Sequence, residues 1–185
     1  MAENRQPIRV LNFFTILNRG GAETMVMNYY RHIDRSKVQF DFVVHREEKG
    51  AYEDEILALG GRIYRMPPIR PWTTGRYKKL LRAFFAEHPE YRILHFHVSE
   101  LGMRAAIEAE RAGVPVRIAH AHSCMKVFNI KSIPRFYMKK RMDRHITHRF
   151  TCARDAGIFG NVEQYALVSC RRRCRQDCRF RHGNR

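Results

Sequence analysis

Apolar positions along the chain change their period every ten residues or so, and the changes fall at glycines and prolines. Arg9 to Phe14 (RVLNFF) reads as a strand, after which Ala22, Met25, Val26, Tyr29, Tyr30 and Ile33 recur at the spacing of one helix face. Val38 to Val44 (VQFDFVV) predicts a second strand. Tyr52 to Leu59 predicts a short acidic helix stopped by Gly60-Gly61, and Arg62 to Met66 a third strand before Pro67-Pro68. Residues 76 to 87 (RYKKLLRAFFAE) predict a basic amphipathic helix ending near Pro89. Arg92 to Val98 (RILHFHV) then predicts a strand, Leu101 to Ala112 a helix, and Val114 to Ala121 (VPVRIAHA) a strand behind Gly113. Pro134, with Ser132 near the cap, opens a further helix to about His145, and Thr147 to Ala153 makes one more strand. Strands alternating with helices at this spacing predict an α/β fold, a Rossmann-like parallel sheet with helices on both faces.

Beyond about Ala166 the pattern stops. The last twenty residues have no apolar period and carry seven Arg, three Cys and one Asp. The chain is therefore read as one domain, residues 1–165, and an Arg/Cys-rich tail, residues 166–185, either disordered or translated out of frame; the abrupt change inside a βα unit favours the second. Net charge is +17, of which the tail supplies +6 and the rest +11. That balance suggests an anionic partner without choosing among phosphorylated ligand, lipid surface and nucleic acid. Nucleic acid is disfavoured, because the body shows no nucleic-acid motif. No apolar run approaches the roughly 18 residues of a membrane span, and the N-terminus MAENRQPIRV has no signal-peptide core, so a cytoplasmic location is expected. Five cysteines without an export signal argue against a disulfide framework, and Cys170, Cys174 and Cys178 with His182 are poorly spaced for zinc.

In an open parallel sheet, ligands sit outside the carboxyl ends of the strands. Three expected strands end in informative residues: Leu17-Asn18-Arg19-Gly20-Gly21, His95-Phe96-His97 and His120-Ala121-His122. A glycine pair between strand and helix lets backbone N–H groups approach an anion at the helix N-terminus, although such a pair also simply closes a tight turn. Glu23, in the first helical turn, suits the helix dipole whether or not it meets a ligand. Each His-x-His pair lies on one face of its strand, with His97 and His122 nearest the crevice. The alternative for these histidines is a satisfied sheet end. No carboxylate accompanies them, so no metal is expected there, and no cofactor elsewhere. Lys139-Lys140-Arg141 reads as a solvated helix face or a contact with anionic lipid.

The ordered set RVLNFFTILNRGGAETMVMNYYRHID, FDFVVH, GGRIY leading to Pro-Pro, LHFHVSELG and RIAHAHS resembles the N-terminal half of family 4 glycosyltransferases of the GT-B fold, nearest the bacterial capsular and exopolysaccharide type. The resemblance runs from residue 7 to about 160. It implies an acceptor-side domain from an enzyme that transfers a sugar from a nucleotide-sugar donor to a glycan or lipid-linked acceptor, working at the inner membrane face with peripheral contact. It also implies that Gly20 and Gly21 lie beside the donor phosphates and that His97 and His122 line the acceptor side of the cleft; His97 is taken as the catalytic candidate, and Gly20, Gly21, Glu23, His120 and His122 as substrate-binding candidates. Two departures stand out. Ala153 occupies a position where serine is usual, and the E-x7-E carboxylates of the family's donor domain have no counterpart. The expectation is thus a truncated transferase, inactive alone. The alternative is a non-catalytic Rossmann-like binding module whose basic tail meets nucleic acid or an acidic partner.

Overall fold

A computed structural model describes residues 6–68, 73–98, 102–122, 137–138, 141–142, 144–152 and 165–170. Its elements are β1 (Ile8–Phe13), α1 (Gly21–His32), β2 (Val38–Val44), α2 (Glu53–Ala58), β3 (Ile63–Arg65), α3 (Thr74–Glu87), β4 (Ile93–Phe96), α4 (Met103–Arg111), β5 (Val116–Ala121), β6 (His148–Cys152) and β7 (Tyr165–Cys170). The strands form one sheet in the order β3-β2-β1-β4-β5-β6-β7, parallel throughout except at the β6–β7 edge. This is the Rossmann-like α/β arrangement expected. Winding reverses between β1 and β4, which opens a crevice at their carboxyl ends.

Side-chain alternation divides the core into two layers. Leu11, Phe13, Val43, Leu94, Phe96 and Ala119 pack with α3 and α4 through Tyr77, Leu81, Phe84, Ala105 and Ala109. Phe42 and Val44 face the other way, onto Val26, Met27 and Tyr30 of α1 and Ile56 of α2. Both helix stops expected at glycine hold: Gly60 follows α2 at φ 84° and Gly113 follows α4 at φ 77°, the left-handed conformation in which glycine carries no Cβ penalty.

Three features differ from the sequence reading. Tyr29, expected on the buried face of α1, is 50% exposed, and Met27 is buried instead, because the helix packs along the Val26, Met27 and Tyr30 line. Tyr165–Cys170 forms β7, where no element was expected past Ala166; an edge strand this short pairs through its backbone and needs no apolar period. Of the helix expected after Pro134, Tyr137, Met138, Arg141 and Met142 are helical, and the remainder, Lys139 and Lys140 included, lies outside the described residues, as does the tail from residue 171.

One buried carboxylate fastens the amino end of the sheet. Asp41 of β2 is fully buried and takes both Nε (2.5 Å) and Nη2 (2.6 Å) of Arg9 in β1. The Arg62 N–H donates to it at 2.7 Å from the start of β3, and the Tyr91 hydroxyl at 2.7 Å from just before β4. The hydrogen bond to Asp41 holds the Arg9 guanidinium further above its ordinary pKa. Burial, together with the bonds to Tyr64 and Asp41, pushes the Tyr91 phenol up as well. Replacing the carboxylate leaves a guanidinium without its counter-charge, so Asp41→Asn is expected to lose about 3 kcal/mol or more, measured as a shift in the urea midpoint at constant slope.

Candidate functional site

Asn12 alternates with Leu11 and Phe13, His95 and His97 alternate with Leu94 and Phe96, and His120 and His122 continue the alternation from Ala119. All five polar residues therefore share the sheet face opposite the α3–α4 core. Strand register sets Asn12 beside His95, and His95 beside Ile118, so the rings of β4 and β5 meet. Ring centroids lie 4.0 Å apart for His95 and His97, 4.1 Å for His120 and His122, and 5.1 Å for His97 and His122.

The hydrogen bonds fix how His97 is held. The Asn12 amide nitrogen faces the carbonyls of Val10 (3.3 Å) and Asp41 (3.4 Å), which only accept, so its Oδ1 is turned to His97 Nε2 at 3.3 Å. His97 Nε2 then carries the proton, and His97 Nδ1 accepts from His122 Nε2 at 2.8 Å. Phe14 stacks on the His97 ring, with centroids 4.4 Å apart and planes 6° from parallel. Burial, reinforced by the neighbouring His95, His122 and His120, holds His97 well below the ordinary histidine pKa. His95 is lowered by burial and by His120 and His122. His45, at the end of β2, donates from Nδ1 to the Phe14 carbonyl (2.7 Å) and accepts at Nε2 from the Tyr77 hydroxyl (2.8 Å); burial lowers it too.

The glycine loop makes a second feature. Gly20 caps α1 in an extended conformation, without a side-chain hydrogen bond to the cap. Arg19, Gly20, Gly21, Thr24, Met25, Asn28 and the displaced Tyr29 line a cleft of about 450 Å³. Glu23 folds back over Gly20: a Cβ there would stand 2.3 Å from Glu23 Oε2, whereas Gly21 has open space. The loop is braced from behind by the segment after β2. Tyr52 N–H donates to the Leu17 carbonyl (3.0 Å), and Ala51 N–H to Asn18 Oδ1 (3.1 Å). Gly50 lies so close that a Cβ would come within 2.6 Å of the Leu17 oxygen.

Of the residues singled out in the sequence, His97, His120 and His122 come together, while Gly20 and Gly21 edge their own cleft and Glu23 covers Gly20. Sequence reasoning passed over Asn12, Phe14 and Gly50, and treated His95 only as the inner member of a pair. The signal for Asn12 was present: a lone amide within the apolar run Val10 to Phe14, at the level where parallel register meets His95.

Such a crevice, at the reversal of a doubly wound sheet, marks a ligand-binding α/β domain. The chain belongs to Glycosyltransferase Family 4, whose sequence profile matches residues 19–156. It is 39% identical over 159 residues to EpsF of Bacillus subtilis (strain 168), a protein provisionally named a glycosyltransferase, and the match covers 84% of this chain. The chain spans 41% of that relative's length. In fold it resembles the crystal structure of Acinetobacter baumannii MurG, with a TM-score of 0.56, 12% identity, and coverage of 85% of this chain and 43% of that one. It also resembles Anabaena HepE, solved in complex with UDP and glucose, with a TM-score of 0.55, 14% identity, and coverage of 77% and 37%. Among the described residues no helix is long and apolar enough to cross a membrane.

Two predictions test this geometry. His45, His95 and His97 are held neutral in the fold, while each binds a proton below about pH 6.5 when unfolded. The stability they contribute is present above about pH 6.5 and lost as pH falls, by up to about 1.4 kcal/mol per pH unit per histidine. Urea midpoints taken from neutral pH downward should show this fall, with a shallower slope in His97→Gln. Gly50→Ala, which drives a methyl into the Leu17 backbone, is expected to cost about 1–3 kcal/mol in the same assay.

Proposed function

We propose that this chain is the acceptor-side domain of a retaining glycosyltransferase that moves a sugar from a nucleotide-sugar donor to a glycan or lipid-linked acceptor. The supporting observation is His97: a buried imidazole kept neutral at the winding reversal, with its tautomer set by Asn12. Its Nδ1, which accepts from His122 in the free domain, takes a hydrogen bond or a proton from a sugar hydroxyl once His122 turns to the acceptor, which is the work required of a catalytic residue on the acceptor side. His120 and His122 border it and bind acceptor hydroxyls. Gly20 and Gly21 present backbone N–H groups at the start of α1, where the donor diphosphate gains charge as it leaves, and Glu23 swings off Gly20 to meet a sugar hydroxyl. The domain works in the cytoplasm, and exposed Arg76 and Lys79 of α3 support peripheral contact with anionic lipid at the inner membrane face.

The test joins residues 7–160 to the part of EpsF that lies beyond the match and follows release of free nucleotide from a panel of UDP- and GDP-sugars. The expected result is release by the chimaera from one donor and none by this chain alone, with His97→Ala lowering kcat by about 10²–10⁴. A folded chimaera that consumes no donor, or a His97→Ala variant with unchanged kcat, overturns the reading.

A further inference from the structure

With His95, the histidines at the ends of β4 and β5 form a larger assembly than the acceptor role proposed for His97, His120 and His122 requires. One ring nitrogen from each of His95, His97 and His120 lies within 4.8 Å of the others, and His122 stacks on His120 while bonding His97. We propose that His95, His97 and His120 bind a divalent first-row transition ion of the zinc type, with His122 at the remaining tetrahedral position.

Geometry and donor chemistry lead to the same ion. Nitrogens around a tetrahedral zinc, each about 2.0–2.1 Å from the metal, stand about 3.4 Å apart. Small ring rotations bring a 4.8 Å set to that spacing, and the 2.8 Å between His97 and His122 opens to it when an ion replaces their shared proton. The donors are all imidazole nitrogens. Magnesium and calcium, which require oxygen ligands, are disfavoured, and ions from nickel to zinc are favoured. Asn12 already supplies the outer contact usual for a ligating histidine, with a carbonyl oxygen on one ring nitrogen while the other faces the cluster. His95 and His120 sit on paired strands and His97 directly follows β4, so the backbone brings the three rings together before any ion arrives. His97 and His120 are buried and His95 and His122 half-buried, so a bound ion would be largely shielded from water.

An ion at these rings would occupy the nitrogen through which His97 is proposed to meet a sugar hydroxyl, and its binding is decided with no donor or acceptor present. The full chain, carrying no polyhistidine tag, is stripped with EDTA and titrated with Zn²⁺ by calorimetry and with Co²⁺ by visible absorption. The expected result is one Zn²⁺ per chain, intense tetrahedral Co²⁺ bands, and an affinity that drops about tenfold or more in His95→Gln and in His120→Gln. Cys174→Ser, in the tail, should leave the affinity unchanged. If either histidine variant fails to fold, imidazole NMR of the unaltered chain decides: Zn²⁺ must move the signals of these rings and leave those of His32 and His88 in place. No uptake, or uptake that survives both histidine variants and disappears with Cys174→Ser, overturns the proposal.

Discussion

A carboxylate removed from water has to be met on every side, and Asp41 receives four hydrogen bonds from three other segments of the sheet. Arg9 ties it to β1, the Arg62 N–H to β3 and the Tyr91 hydroxyl to the start of β4. The backbone oxygen of Asp41 also receives the Asn12 amide, whose other end orients His97. The interaction that closes the amino end of the sheet thus reaches, through one strand position, the residue that sets the site.

The site has two parts built on different principles. His95 and His120 sit on strands and His97 and His122 directly follow them, so the placement of their backbones follows the register. The glycine loop is irregular backbone, kept in place by the close approach of Gly50 and by the bonds from Ala51 and Tyr52. Rigidity therefore comes from the sheet in one part and from a second loop in the other.

The strands of the parallel sheet and the glycine stops were legible because both depend on local pattern: apolar runs for buried strands, and Gly60 and Gly113 for left-handed helix ends. His97 and His122 were legible because strand alternation carries each pair to one face. Gly50 was not, since nothing local reveals that a loop will run against Leu17. Tyr29 was misplaced because apolar spacing alone cannot separate a buried tyrosine from one at the edge of a cleft. β7 escaped because six residues that pair through their backbone leave too little pattern beside an arginine-rich stretch.

The position of β1 at the centre of the sheet has a consequence in time. Val10 pairs with Phe40 on one side and with Ile93 on the other, so half of this strand's partners are made long after the strand itself. A ribosome releases β1, β2 and β3 first, and these can assemble with Arg9 already on Asp41. Tyr91 and β4 emerge last among the groups that complete that carboxylate. Until they do, β1 presents an unpaired edge, and the chain passes through an interval in which association with another nascent copy competes with its own folding.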